Sequence, residues 1–387
     1  MFAARMRFDI HERSVSYEDD GEPIGFTVNS QRSLHTKRGT KMTFVDADTH
    51  VDEREATWSY IAEKDQHLVP RTIEFTAEET PSFLAPGYQR FWFIDGRLAP
   101  RRHRLDARTG TTLETRELID IGARLRDMDT LGIDTQVIYP TVFLHEPSQR
   151  EDVLVALHGS YNRWMADRCA ESGGRLRWVA MIPYVSMSDA LDEIRFAKEH
   201  GAVGIFKLGI ECGGRSAGDP YFMPAYRAAA DYDLALCVHQ GSPWTPVNKF
   251  LSPFTQTKSG ETPVYEAFSA LLRLKLADRL PNELRVGFIE AGSGWVPHVL
   301  GTLGLRPGTE QPLADSQFFV ACETFEDIPN VLNAVGGDDN LIIGTDYTHG
   351  DRSSVMTAHK TIMERQDLDE KSALKITSQN GRTLYSL

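Results

Sequence analysis

The sequence predicts an α/β fold, a (β/α)8 TIM barrel with a long insertion after its first strand. Three observations carry that expectation. Short apolar, β-branched runs recur eight times, segments with helical spacing separate them, and side chains of metal-binding type fall at the ends of several runs. Strands alternating with helices build a parallel sheet, and eight such units favour a closed barrel over the alternative, an open doubly wound sheet.

The elements follow in order. Residues 1–41 are polar without a clear period and read as an N-terminal extension to a barrel domain of 42–387. The first strand is "MTFVDAD" (42–48). The insertion, 51–116, carries Trp58, Phe75, Phe83, Tyr88, Phe91 and Trp92 among prolines and charges. So long a connection within a compact domain is usually functional, and a lid or pocket wall is expected there. Helical patterns at 117–131, 150–172, 188–200 and 221–232 lead into strands at 135–140, 176–183, 203–208 and 234–239. Further helices at 262–280, 295–305 and 325–336 alternate with strands at 284–292, 316–322 and 340–346, and helices at 354–364 and 369–384 follow the last strand. In "MSDALDEIRFAKEHG" Ser188 or Asp189 is the expected N-cap, Ala190, Ile194 and Ala197 the apolar face, and Gly201 the stop.

Bulk properties exclude several classes. A formal charge of −13 disfavours sequence-independent binding to nucleic acid or to an anionic membrane. Cys169, Cys212, Cys237 and Cys322 stand far apart with no CxxC pair, so neither a disulfide framework nor a zinc knuckle is expected. No apolar run reaches the roughly 18 residues of a membrane span, and the first residues lack a signal-peptide core. The expected setting is the cytoplasm and the expected partner a small-molecule substrate.

The run "VDADTHVDE" (45–53) places four carboxylates and a histidine after an apolar lead-in. Buried carboxylates need water, a cationic partner or a metal ion. Asp48 and His50 are two apart, so a continuing strand projects both to one face. Strand five ends in His239, strand six reaches Glu290 and strand eight ends in Asp346. The C-terminal mouth of a barrel is where its chemistry sits. Asp48, His50, His239, Glu290 and Asp346 are therefore the expected ligands of a divalent Zn, Mn or Fe, with His239, Glu290 and Asp346 also catalytic. Glu290 either bridges to a second metal or acts as the base. Possible additional site residues are Glu53, His145, Lys207, Trp295, His298, Tyr347 and His349. Each has a plainer reading as a cap, packing contact or ion pair, and Asp46 reads as structural beneath the mouth. The stretch "AGSGW" lacks the spacing and following lysine of a phosphate loop.

The motifs "DADTHVDE", "VHQGSP", "FIEAGSGWVPH" and "LIIGTDYTHGD" resemble the amidohydrolase-related branch of the amidohydrolase superfamily, the branch of aminocarboxymuconate-semialdehyde decarboxylase. The resemblance covers roughly residues 42–387 and implies a metal-bearing barrel. It places the strand-one metal pair on Asp48 and His50, the strand-five histidine on His239 and the strand-eight aspartate on Asp346. Two departures stand out: the usual His-x-His is Asp48-Thr49-His50, and a position that is often histidine is Glu290. Decarboxylation or hydrolysis of a small, largely apolar acid or acyl compound is the implied chemistry, with Asp346 as the proton carrier of a hydrolase. The carboxylate-rich set also resembles the two-iron site of the diiron monooxygenases of platensimycin and platencin biosynthesis, an alternative that hydroxylates an acid or its thioester. A third reading is a catalytically inactive metal-binding barrel. Barrels of this branch often form homodimers.

Overall fold

A computed structural model describes residues 43–76, 90–101, 109–241, 260–305, 313, 317–350 and 354–387. The 1–41 extension, and Phe83 and Tyr88 of the insertion, lie outside the described residues.

Eight parallel strands form one sheet: β1 (Phe44–His50), β5 (Ile133–Tyr139), β6 (Leu176–Ala180), β7 (Gly204–Leu208), β10 (Ala235–His239), β11 (Val286–Ile289), β12 (Phe318–Ala321) and β13 (Leu341–Ile342), neighbours in that order. Every residue of β1, β7 and β10 is buried, the condition of a parallel strand covered on both faces. The last strand meets the first through main-chain hydrogen bonds, Ala47 N to Ile343 O at 3.1 Å, Asp346 N to Asp48 O at 3.0 Å and His50 N to Tyr347 O at 2.8 Å. The sheet thereby closes, and the open-sheet alternative falls away.

Helices α1 (Leu113–Arg116) and α2 (Ile121–Leu131) precede β5. Those covering the barrel next are α3 (Glu151–Ala170), α4 (Met187–Glu199) and α5 (Met223–Asp231). They continue as α6 (Thr262–Leu276), α7 (Val296–Thr302) and α8 (Ile328–Val335). After β13 come α9 (Ala358–Met363), α10 (Glu370–Leu374) and α11 (Asn380–Tyr385), the last two joined by a single π turn. Helix α4 starts earlier than its sequence signals imply: Ser186 is the N-cap, and its hydroxyl donates to the Asp189 carboxylate at 2.5 Å. Gly201 stops that helix as expected, at φ +83°. At the other end of the barrel the Tyr385 hydroxyl donates to the Ala47 carbonyl and lies 2.7 Å from the Tyr139 hydroxyl, which pins the C-terminal helix to β1 and β5.

The insertion has its own antiparallel sheet, β2 (Arg71–Glu74), β3 (Arg90–Ile94) and β4 (Arg97–Pro100). Trp58 and Trp92 are buried edge to face at 5.7 Å, and Trp58 meets Phe143 beyond the end of β5 at 6.2 Å. Arg101 lies over the Trp92 ring and pairs with Glu55 and Glu117. A short hairpin, β8 (Ile210–Glu211) and β9 (Arg215–Ser216), follows β7. No described helix is long and apolar enough to cross a membrane.

Candidate metal centre

Strand β1 carries Asp48 and His50 to the mouth with the spacing of two that puts both on one face. The His50 Nδ1 lies 2.8 Å from the Pro140 carbonyl oxygen, and His239 Nδ1 lies 2.7 Å from that of Gln240. A carbonyl only accepts, so each Nδ1 carries the proton and each Nε2 presents a lone pair. Both lone pairs converge on the same carboxylate: His50 Nε2 is 3.4 Å and His239 Nε2 3.5 Å from Asp48 Oδ1. Asp346 Oδ1 stands 3.5 Å from His50 Nε2, and Glu290 Oε2 3.6 Å from His239 Nε2.

These separations are long for hydrogen bonds. They match two donors that share a cation, which stand about 3.4 Å apart when each is about 2.1 Å from it at tetrahedral angles. Asp48 Oδ1, His50 Nε2 and His239 Nε2 are buried and make no hydrogen bond. Such atoms cost free energy unless an ion completes them, so the residues fit a divalent metal. Six side chains form two overlapping groups, Asp48, His50, His239 and Glu290, and His50, Glu290, Asp346 and His349.

Electrostatics distinguish the two imidazoles. Burial lowers the pKa of His50 to about 4 against the pull of Asp48, which keeps the ring neutral. Burial also works against a charge on His239, but the Asp48 and Glu290 carboxylates with the Gln240 carbonyl together outweigh it and raise that pKa. For Asp48 the two histidines outweigh burial and hold the carboxyl well below its ordinary range. Glu290 and Asp346 adopt left-handed backbone, φ +56° and +52°, which non-glycine residues rarely do. Strain of this kind clusters where a side chain must be aimed. Gly344 allows the last strand to approach the first, because a Cβ there would lie 2.4 Å from Asp48 Cβ.

The remaining sequence candidates divide. His349 joins the site: its ring stacks on His50 at 3.9 Å and its Nδ1 lies 2.6 Å from Asp346 Oδ1. Glu53 lies past the end of β1, accepting from the backbone of Thr141 and Val142 at 2.8 and 3.0 Å, which uses both oxygens structurally. Lys207 is on the opposite face of β7 from Phe206, whose ring stacks on His239, and pairs with Glu211 over the Phe222 ring. Trp295 donates its indole N–H to Gly292 and packs on Tyr265 and Phe268. Tyr347 points outward, its hydroxyl donating to the Asp127 carboxylate and lying 3.0 Å from the Thr115 hydroxyl. His145 and His298 are exposed and belong to neither ligand group, since each lies past its strand, where chain direction no longer follows strand alternation. The glycine-rich "AGSGW" loop does cradle an anion, but an internal one: the Glu326 carboxylate accepts from the N–H groups of Ser293 and Gly294 and from the Ser293 hydroxyl.

Sequence reading missed Arg124 and Gln136. Arg124 is fully buried and donates to Gln136 at 2.7 Å and to the His50 carbonyl at 3.2 Å, with Tyr347 against its guanidinium. Gln136 donates in turn to Asp46, which also accepts from the Thr345 amide and hydroxyl. Asp46 is thus structural, as its position beneath the mouth implies. The missed signal is an arginine at the spacing of Ile121 and Met128, on the buried stripe of α2.

Fold and site together define a (β/α)8 barrel with a buried histidine–carboxylate cluster at its C-terminal mouth, of a kind that could hold a metal ion. A family model described as Amidohydrolase matches residues 45–387, and the chain belongs to that family. Among solved structures, an amidohydrolase of Mycobacterium avium subsp. paratuberculosis K-10 is similar with a TM-score of 0.70 and 16% identity, over 90% of this chain and 99% of that one. A 5-carboxyvanillate decarboxylase of Novosphingobium aromaticivorans DSM 12444, complexed with manganese and 4-hydroxy-3-methoxy-5-nitrobenzoic acid, has a TM-score of 0.62 and 18% identity over 93% and 100%. IDCase of Metarhizium anisopliae has a TM-score of 0.59 and 16% identity over 89% and 97%. No curated protein matches the chain.

Proposed function

We propose that this chain is a divalent-metal-dependent enzyme that decarboxylates a small, largely apolar carboxylic acid, or hydrolyses a related acyl compound. The observation that carries the reading is the convergence of His50 Nε2, His239 Nε2 and Asp48 Oδ1, each buried without a hydrogen bond. Decarboxylation stands first because one structure of the same fold is a decarboxylase complexed with manganese and a benzoic acid. When bound, the ion would supply Lewis acidity and a fixed charge for the substrate's carboxylate. Asp48, His50, His239, Glu290 and Asp346 would hold it.

The chain's own groups do the rest. The Pro140 and Gln240 carbonyls fix both imidazoles in the Nδ1–H tautomer. A carbon that loses carbon dioxide must gain a proton, and the Asp346–His349 pair, 2.6 Å apart, is placed to hold and deliver one. In hydrolysis the same pair accepts a proton from the attacking water. Phe206 and Tyr139 pack against the His239 ring and keep bulk water from its flank.

The two overlapping ligand groups favour a second reading, a centre of two ions, as the oxygenase alternative requires: Glu290 has two carboxylate oxygens and would serve either ion, whereas His50 has only its Nε2 free and would serve one. Elemental analysis of protein purified without added metal tests both, followed by carbon dioxide release from aromatic acids. About one manganese or zinc per chain with carbon dioxide release supports decarboxylation. About two irons with oxygen uptake replaces it with the oxygenase, and bound metal without any turnover leaves the inactive barrel.

A further inference from the structure

Glu290 leaves the end of β11 in left-handed backbone, φ +56°, and the residues that follow it form the loop "AGSGW". A non-glycine residue keeps that conformation only where its surroundings over-determine it. With the loop released, the chain would relax to an ordinary φ and swing the Glu290 carboxylate away from His239 Nε2, which lies 3.6 Å from it. Something must therefore hold the loop.

Glu326, between β12 and α8, makes the contacts that do so. Its Oε1 accepts from the Ser293 and Gly294 N–H groups at 2.8 and 2.9 Å. Its Oε2 accepts from the Ser293 hydroxyl at 2.7 Å and from the Glu323 N–H at 2.9 Å. Gly292 lets the two loops come this close: φ is +63° there, and a Cβ would lie 2.7 Å from Glu326 Oε1. Glu326 is anchored in turn, since Arg365 donates to its backbone carbonyl at 2.9 Å and to that of Thr324 at 2.8 Å. Glu326 belongs to neither ligand group, so its influence on an ion passes through Glu290.

We infer that Glu326 is a positioning residue for the metal centre: it ties down the 291–295 loop so that Glu290 stays in left-handed backbone with its carboxylate toward His239. The inference rests on the proposed function for the role of Glu290 as a ligand. A tie that served stability alone would act in the same way with or without the Glu290 side chain. A positioning tie loses its effect on the ion once that side chain is gone.

Cobalt(II), whose visible absorption reports the number and kind of its ligands, is the probe. It is titrated into the full chain, with affinity read by calorimetry and coordination by absorption. Glu290→Ala should alter the spectrum and weaken binding. Glu326→Ala should shift the spectrum in the same direction and weaken binding about tenfold or more. In the double variant the second substitution should cost less than about twofold further, because the two residues act on the ion as one unit. Glu326→Gln keeps an oxygen for Ser293 and Gly294 but sets an N–H against that of Glu323, so it should retain part of the affinity. It carries the same cycle if Glu326→Ala does not fold. Wild-type spectrum and affinity in both Glu326 variants, or losses that multiply in the double variant, overturn the inference and leave the metal reading standing. An unchanged spectrum in Glu290→Ala removes Glu290 from the ligands, and the inference with it, without touching Asp48, His50 and His239. A wild-type chain that binds no cobalt overturns both.

Discussion

The Asp346 backbone N–H donates to the Asp48 carbonyl oxygen at 3.0 Å, so two residues whose carboxylates face the site, one within β1 and one just past β13, are joined by main chain. One residue further on, His50 N donates to Tyr347 O. Closing the barrel and assembling the ligand set are thus the same event, and four consequences can be measured.

Removing a converging ligand should empty the centre without unfolding the barrel. His239→Ala is expected to lose bound metal and activity while its circular dichroism and thermal melt stay close to wild type. The protein has eight strands to hold the fold, and truncation removes one unsatisfied buried atom, His239 Nε2. Full metal content in this variant would reject His239 as a ligand.

Arg124 should matter to the metal although it touches none of it. Arg124→Met leaves Gln136 and the His50 carbonyl without their donor inside the core. The expected loss is about 3 kcal/mol of stability, seen in urea unfolding, and about tenfold in metal affinity. Arg124→Lys keeps the charge but not the planar fork, and should recover stability more than affinity.

Gly344→Ala tests the strand approach directly. Its Cβ would meet Asp48 Cβ at 2.4 Å, so the strand must shift and carry Asp346 with it. Weaker metal binding is expected with a melting temperature lowered by several degrees, on the order of 2 kcal/mol. A variant with unchanged affinity would show that the closure tolerates displacement.

Stability should fall across the neutral range because of Glu53. Burial raises its pKa to about 7 in spite of the amide bonds from Thr141 and Val142. The unfolded chain ionises near 4.5, so the folded state holds an extra proton between the two values. The contribution is fully present below about pH 4.5 and is lost as pH rises through about 7, to a limit of order 3 kcal/mol. Glu53→Gln should flatten this slope in urea unfolding at pH 5 and pH 8, and a slope unchanged by that substitution would assign it to another group.

The barrel was legible because its strands are almost wholly buried: all eight apolar runs correspond to strands of the main sheet, β1, β5, β6, β7, β10, β11, β12 and β13. Ligand residues inside or at the end of such a run inherit its alternation, which is why Asp48, His50 and His239 come together. Alternation also separates Lys207 from Phe206, a reading available from the sequence once β7 is phased against His239. Beyond the strand end that phase is lost, and nothing local distinguishes exposed His145 and His298 from buried His349. Arg124 was illegible for another reason. A charged residue on an apolar helical stripe declares its burial only when its partners, distant in sequence, are known.

The main-chain seam between β1 and β13 has a consequence for synthesis. Asp46 is bonded to Thr345 across 299 positions of sequence, and the ligand set straddles the same gap. A growing chain would present Asp48 and His50 long before Asp346 exists, with no pocket to retain an ion. Stable metal uptake therefore reports a finished barrel, and fragments ending before the eighth strand should leave the ribosome unable to compete for the cell's metal.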